Sequence, residues 1–493
     1  MLRSDYWYRF PWLLMAAALA LTALGLAGIY STADPDQSFR DTYAAKQLVW
    51  LAVALVVFVL ALVPSYTRLA RASYALYALS LLALVVLAVM RRFNLEIPGF
   101  IYLNRGAYSW IAVPGIGFKV QPAELMKIAF IMSLAYYLRY RKNYRTFRGL
   151  LFPFAMALVP TALILYQPNL GTAMLFLPVL FLMLFAAGAR LKHLVAIVLM
   201  GLAMVPVFYS SMHGFQRMRI DSWLLLPCAE RLYFAVNEPA PDEPAAGAAG
   251  DALRQKDSDG GTAPPAARAG LTDLRKADLV REVTSSWRFR LWRLATAVSW
   301  GKDRPEYVID RQRLFDALQA GPDKKRFEAL RLFFAAMLDD AGYQSFQAKI
   351  AVGAGGLVGQ GWFQGTQTRY DLLPEAHTDF LFPTLAEQLG LLGAAGIVIL
   401  YGLLCLLGID VSFSTTEPYG KLLAVGVVTL IGAQSFLNIA MSLGMLPIAG
   451  FPLPLMSYGG SSLVSSFLAL GLLCNVAIRR LYLIAPRPFE WRE

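Results

Sequence analysis

Charge is scarce in this chain. Asp, Glu, Lys and Arg make up 16% of its 493 residues, and 57% are apolar. Soluble domains carry about 25% charged and about 45–50% apolar residues. A soluble, disordered or fibrous protein is therefore excluded. Histidine and cysteine are each down to three, which excludes a histidine cluster and a framework of paired disulfides. Cys405 and Cys474 fall in apolar runs and Cys228 in a polar segment; all three read as packing or incidental residues. There is no P-loop, G-x-G-x-x-G turn, C-x-x-C pair or H-E-x-x-H helix, so nucleotide-driven and zinc chemistry lose their footing. No cofactor and no metal-ligand set is expected.

What the chain does have is long uncharged runs, and an all-α polytopic membrane protein follows from them. The runs cover residues 10–33, 47–67, 72–90, 149–189, 193–216, 388–409 and 422–478. A span takes about 20 residues, so two of these runs are too long for one helix. The first is broken at Gln167-Pro168-Asn169-Leu170-Gly171, which reads as a tight helical hairpin. The second is broken between Gly444 and Gly460. A weaker span at about 120–138 carries Glu124 and Lys127. The expected total is ten transmembrane helices, with a large extracytoplasmic loop between helices 7 and 8. Run 10–33 is long enough to span and has no clear cleavage site, so it reads as the first helix rather than a signal.

Lysine and arginine set the orientation. Arg3, Arg9, Arg68, Arg71, Arg139, Arg141, Lys142, Arg145, Arg148, Arg190, Lys192, Lys421, Arg479, Arg480 and Arg487 share one side of a ten-span layout, which puts both termini in the cytoplasm. The net charge of +12 then reports orientation toward anionic membrane lipids and not nucleic-acid binding. Three regions result: 1–212 with helices 1–7, 213–378 as the extracytoplasmic loop, and 379–493 with helices 8–10 and a cytoplasmic tail. Within the loop, about 226–337 reads as a partly disordered insertion. Its 237–270 part is rich in Ala, Pro, Gly and Asp and cannot bury a core. Helical spacing returns over 271–300 and 311–338, either as an amphipathic stretch lying on a membrane or partner, or as a small folded cap.

Ionisable groups inside apolar spans mark function by default, and three places stand out. Glu124 and Lys127 lie three apart on one helix face and can pair, either to lock the bundle or to serve a substrate. Arg105 and Lys119, in a nearby loop of Gly, Tyr and Trp, suit an anionic head group or plain interfacial snorkelling. Glu375, His377 and Asp379 put three titratable groups within five residues at the start of a span. A carboxylate there suits a general base; capping of the next helix by Thr378 or Asp379 is the other reading. Finally, the Pro- and Gly-rich stretch 444–462 means irregular backbone at membrane depth, tolerated only inside protein or along a wet cavity. Its N–H groups suit phosphate, or the stretch simply closes the bundle.

These segments together resemble the SEDS family (shape, elongation, division and sporulation), and its RodA-like branch most. The shared motifs occur in order. They are Gln121-Pro122-Ala123-Glu124 with Lys127, Gln167-Pro168-Asn169-Leu170-Gly171-Thr172 and Gly342-Tyr343-Gln344-Ser345-Phe346-Gln347-Ala348-Lys349-Ile350. Then come Gly353-Ala354-Gly355-Gly356-Leu357, Gly361-Trp362, Gly365-Thr366-Gln367, Leu373-Pro374-Glu375-Ala376-His377-Thr378-Asp379-Phe380 and Leu453-Pro454-Leu455-Met456-Ser457-Tyr458-Gly459-Gly460-Ser461-Ser462. The likeness covers nearly everything outside about 226–337.

The resemblance implies a ten-span peptidoglycan glycosyltransferase of the bacterial inner (plasma) membrane, working in cell-wall elongation. It implies polymerisation of lipid II, release of undecaprenyl pyrophosphate, and a class B penicillin-binding protein as partner. The family's catalytic acid falls on Asp379. Lys119, Arg105 and Arg217 are then candidates to hold the leaving pyrophosphate. Glu124, Lys127, Glu375, His377 and Ser457 are candidates to bind the rest of the substrate. The chain departs from the family pattern at Ser109, Asn169, Pro383, Gln388 and Asp339-Asp340-Ala341-Gly342. A lipid II flippase and a non-enzymatic scaffold are the competing functions.

Overall fold

A computed structural model describes residues 9–33, 38–93, 109–112, 119–141, 143–167, 169–205, 209, 214–237, 273–286, 288–290, 323–339, 342–370 and 372–479. They are overwhelmingly helical. The helices are α1 (Trp12–Ser31), α2 (Tyr43–Leu62), α3 (Tyr66–Phe93), α4 (Pro122–Leu138), α5 (Leu151–Tyr166), α6 (Leu170–Ala187), α7 (Leu191–Ala203), α8 (Gly214–Asn237), α9 (Asp273–Ser285), α10 (Asp323–Asp339), α11 (Tyr343–Ala354), α12 (Leu381–Phe413), α13 (Pro418–Ser442) and α14 (Gly460–Arg479). One small ribbon pairs β1 (Ile111–Ala112) antiparallel with β2 (Lys119–Val120).

Among the described residues, eight helices are long and apolar enough to cross a membrane: α1, α2, α3, α5 with the turn before it, α6, α12, α13 and α14. The protein is membrane-integral. The other two expected spans fall on shorter helices, α4 with 17 residues and α7 with 13. In the run at 193–216, α7 ends at Ala203 and α8 opens at Gly214, with residues 206–208 and 210–213 outside the described residues. At about 1.5 Å per residue, α7 alone falls short of a hydrocarbon core of about 30 Å.

The chain divides into two compact units, Met1–Met200 with Gln347–Glu493, and Gly201–Phe346. In the first, α14 packs along α2, α3 along α4, α6 and α12 along α13, and α1 along α12. α4 lies at the centre, with 15 of its 17 residues buried, as expected of a helix apolar nearly all round. Aliphatic residues such as Val56, Val59, Leu79, Leu392, Ile399 and Leu406 stand exposed on α2, α3 and α12; in a membrane they face lipid. The hairpin between α5 and α6 is set by Asn169, whose Oδ1 accepts from Thr172 N at 3.1 Å. In the second unit, α10 packs on α8 and α9 around Leu225, Leu226, Val283, Leu330 and Phe334. Cys228 is buried there too. Arg231 of α8 pairs with Glu282 of α9. Residues 238–270 and Trp287 and Trp292 lie outside the described residues.

Helix α12 is not continuous. Gly390 has φ 68° and ψ −167°, which opens the backbone ladder. The glycine-rich turn after α11 fills the gap. Gln360 N donates to Glu387 O at 3.0 Å and Gly361 N to Gln388 O at 3.1 Å. In return Leu391 N donates to Gly356 O at 2.9 Å and Leu392 N to Leu357 O at 3.2 Å. Backbone groups freed at membrane depth must find such partners. The approach leaves no room for side chains: a Cβ on Gly359, at φ +92°, would lie 2.1 Å from Gln388 O. Gly359→Ala is therefore expected to cost more than the roughly 1–2 kcal/mol of left-handed strain alone. Gly396→Ala, where a Cβ meets nothing within 4 Å, should be neutral or stabilising. Thermal unfolding in detergent compares the two, and equal midpoints would sink this account of the break.

Candidate active site

Three segments of the first unit meet around one loop. The loop 444–459 leaves α13 and returns to α14. Buried side-chain amides hold it. Gln47 of α2 donates from Nε2 to Ser457 O at 3.1 Å and accepts from Gly459 N at 3.2 Å. Gln434 of α13 donates to Pro452 O at 2.7 Å, and Asn438 donates to Phe451 O at 2.8 Å. Inside the loop, Ser457 Oγ accepts from Leu453 N at 2.9 Å. Ser457 is buried, so its hydroxyl shapes the loop. Leu455 sits at φ 69°, a strained conformation for a leucine.

The second segment is 372–380. Glu375 has φ 57°, and its carboxylate accepts from Thr378 Oγ1 at 2.9 Å. Helix α12 begins after Phe380, whose side chain makes no cap bond, and the Thr378 hydroxyl goes to Glu375. His377 stacks on Tyr43, with ring centroids 4.1 Å apart at 10°, and its carbonyl accepts from Tyr458 N at 2.9 Å. Tyr458 leans on Tyr43 at 4.9 Å. Burial, and then the Tyr43 phenol, push the Tyr458 phenol up, so it stays a neutral donor. Lys46 Nζ lies 5.5 Å from the Tyr43 ring. Asp379 is half-buried, and its carbonyl accepts from Asn438 Nδ2 at 3.0 Å.

The third segment is β2 and the start of α4. Lys119 has an exposed side chain, and its carbonyl accepts from Ser461 Oγ at 2.9 Å. Below it, Lys127 Nζ is 2.8 Å from Glu124 Oε1; both residues are 3% exposed. Ser465 Oγ donates to Glu124 Oε2 at 2.7 Å, and Lys127 Nζ donates to Gln434 Oε1 at 3.1 Å. Each charge thus has an opposite partner and a further polar one, which is what makes ionised groups tolerable at this depth. Glu124, Lys127, Ser457, Glu375, His377 and Asp379 therefore gather around one loop. Arg105 lies outside the described residues, and so does the side chain of Arg217, which belongs to α8 in the other unit.

Sequence reading passed over Glu387. It is 0% exposed, and its carboxylate accepts from Thr366 Oγ1 at 3.0 Å and Gln367 N at 2.9 Å. It clamps the Gly365-Thr366-Gln367 element onto α12. An acid eight residues past Asp379, in an otherwise apolar run, is the signal that would have found it. Among the described residues, no group of three or more His, Cys, Asp or Glu could hold a metal ion.

Comparison with known proteins follows this geometry. The family model FTSW_RODA_SPOVE, described as a cell cycle protein, matches residues 11–228 and 317–481. The unmatched stretch between them contains α9. The chain is 29% identical over 481 residues to "Peptidoglycan glycosyltransferase RodA" of Treponema pallidum (strain Nichols), covering 96% of this chain and 98% of that one. It is 43% identical over 140 residues to "Peptidoglycan glycosyltransferase MrdB" of Escherichia coli (strain K12), covering 28% of this chain and 38% of that one. Among solved structures, it aligns with one described as "Structural coordination of polymerization and crosslinking by a peptidoglycan synthase complex". The TM-score is 0.59 and identity 22%, covering 95% of this chain and 97% of that one. Rod shape determining protein RodA of Thermus thermophilus aligns with a TM-score of 0.52 at 21% identity, covering 96% and 97%. Both structural likenesses establish the shared fold.

Proposed function

This chain belongs to the FtsW, RodA and SpoVE family of cell cycle proteins, and from that premise we propose that it polymerises lipid II with Asp379 as general base. It is a peptidoglycan glycosyltransferase of cell-wall synthesis. The observation that carries the finer reading is the half-buried Asp379 held by its backbone where three motif segments meet. The acceptor sugar's 4-hydroxyl loses its proton to Asp379 as it attacks the anomeric carbon of the donor chain. The bond to the lipid pyrophosphate breaks in the same displacement. Pyrophosphate is a fair leaving group, so no enzyme nucleophile is needed. Lys119 supplies positive charge to the departing group, and Arg105 and Arg217 are the further sequence candidates for that role. Glu375, His377 and Ser457 shape the wall beside the base, and the Glu124–Lys127 pair supports it from below.

The product is undecaprenyl pyrophosphate and a growing glycan, in cell-wall elongation. A class B penicillin-binding protein crosslinks that glycan; the likeness to a structure concerned with polymerization and crosslinking supports such a partner. Labelled lipid II incubated with the purified full chain tests the activity. Polymer is the expected product. Lipid II moved across a vesicle bilayer without polymer would establish a flippase instead, and neither outcome would leave a scaffold.

The protein sits in the bacterial inner membrane with ten spans and both termini in the cytoplasm. Regions 1–212 and 379–493 form the membrane part, and 213–378 the outer loop. The lysine and arginine asymmetry supports this. Single cysteines placed at Gly260 and Asn143 and probed with an impermeant thiol reagent on spheroplasts test it. Gly260 should label and Asn143 should not; the opposite pattern would invert the protein.

A further inference from the structure

Gln434 and Asn438 lie four apart on α13, so they project from one face. Both are buried, and both reach consecutive carbonyls of the 444–459 loop, Pro452 and Phe451. Each also has a second partner. Gln434 Oε1 accepts from Lys127 Nζ at 3.1 Å, and Asn438 Nδ2 donates to Asp379 O at 3.0 Å. An unbroken line of polar contacts therefore runs from Ser465 through Glu124, Lys127 and Gln434 to the Phe451–Pro452 backbone, and on through Asn438 to Asp379. Resting on the reading of Asp379 as the base, we propose that Asn438 is a positioning residue for the Asp379 carboxylate, and that Gln434 couples it to the Glu124–Lys127 pair.

The bonding pattern at Asp379 argues for this. Helix α12 starts only at Leu381, and its first ladder bond, Thr384 N to Phe380 O, leaves the Asp379 carbonyl out. Residue 383, four places ahead of Asp379, is a proline and has no N–H to give. Asn438 supplies the donor. The amide has one workable orientation, because a flip would turn its oxygen toward two carbonyl oxygens. Its Oδ1 is buried with no hydrogen-bond partner among the described residues. The amide thus accepts an orphaned acceptor in order to donate twice, an arrangement that favours fixed geometry over local satisfaction.

Steady-state polymerisation by the purified full chain tests the proposal. Asn438→Ala and Gln434→Leu are measured for kcat, for KM toward lipid II and for thermal midpoint. A misplacement of about 1 Å at a reacting group costs on the order of 10²-fold in rate. Asn438→Ala should therefore lose kcat by about that factor while KM stays within threefold, and Gln434→Leu should lose kcat in the same direction by less. Asn438→Leu, which keeps the branched outline of the amide without its donors, provides the same comparison if Asn438→Ala does not fold. A kcat near the parent's, or a loss that falls on KM alone, overturns the inference. Asp379→Asn measured alongside separates the failures. If it stays active, the base assignment falls and this inference with it. If it is dead while Asn438→Ala is normal, this inference falls alone.

Discussion

Asp379→Asn should fold, insert into the membrane and make almost no glycan polymer. Asparagine keeps the size of aspartate, and the backbone bond from Asn438 does not depend on the side chain. What is lost is the ability to take a proton at neutral pH. A positioned general base commonly contributes about 10²–10⁴-fold, so polymerisation should fall by that range in a lipid II assay. Asp379→Glu retains part of the rate only if the surroundings of Asp379 have room for one more methylene. Glu375 is the internal control. It lies four residues earlier, and its carboxylate is already engaged by Thr378 Oγ1 at 2.9 Å. Glu375→Gln should weaken that contact and leave substantial polymerisation. A dead Glu375→Gln beside a normal Asp379→Asn would reverse the two roles. Normal polymerisation by both would remove this element from the chemistry altogether.

The second large effect concerns stability. Among the described residues, Glu124→Ala leaves Lys127 with Gln434 and Lys127→Ala leaves Glu124 with Ser465. Either single change strands a charge among residues about 97% covered. Such strandings cost on the order of 3–5 kcal/mol. The double change removes both charges and should cost less than the sum of the singles, and even less than either alone. Folded yield and unfolding midpoints of the three variants give the coupling. Additive losses would show that the pair, although 2.8 Å apart, does not act as a unit.

Much of this architecture is legible in the sequence because lipid imposes a strong filter. Uncharged run lengths locate the long helices, and the Gln167–Gly171 break marks a hairpin because Asn169 is a cap residue followed by a helix. The i,i+3 spacing of Glu124 and Lys127 is enough to predict their contact. Other features escape for physical reasons. Gly390 sits in an apolar run and reads as one more helical residue; only its partner, 31 positions earlier at Gly359, reveals the opened ladder. Gln47, Gln434 and Asn438 are uncharged, so they do not interrupt a hydropathy count, yet they hold the loop beside Asp379. Hydropathy says where a segment prefers to be, not whether its backbone stays regular there.

The break in α12 also constrains the order of manufacture. A ribosome completes the glycine turn 353–361 before residues 387–392 emerge. The carbonyls of Gly356 and Leu357 and the N–H groups of Gln360 and Gly361 have therefore been synthesised before the open rung arrives. Residues 391–413 are long enough to enter the bilayer by themselves at about 1.5 Å per residue, so 381–389 emerge with their backbone partners already in the chain. A permuted version that delivers 353–361 after α12 would put an unpaired backbone rung into lipid with nothing yet synthesised to close it.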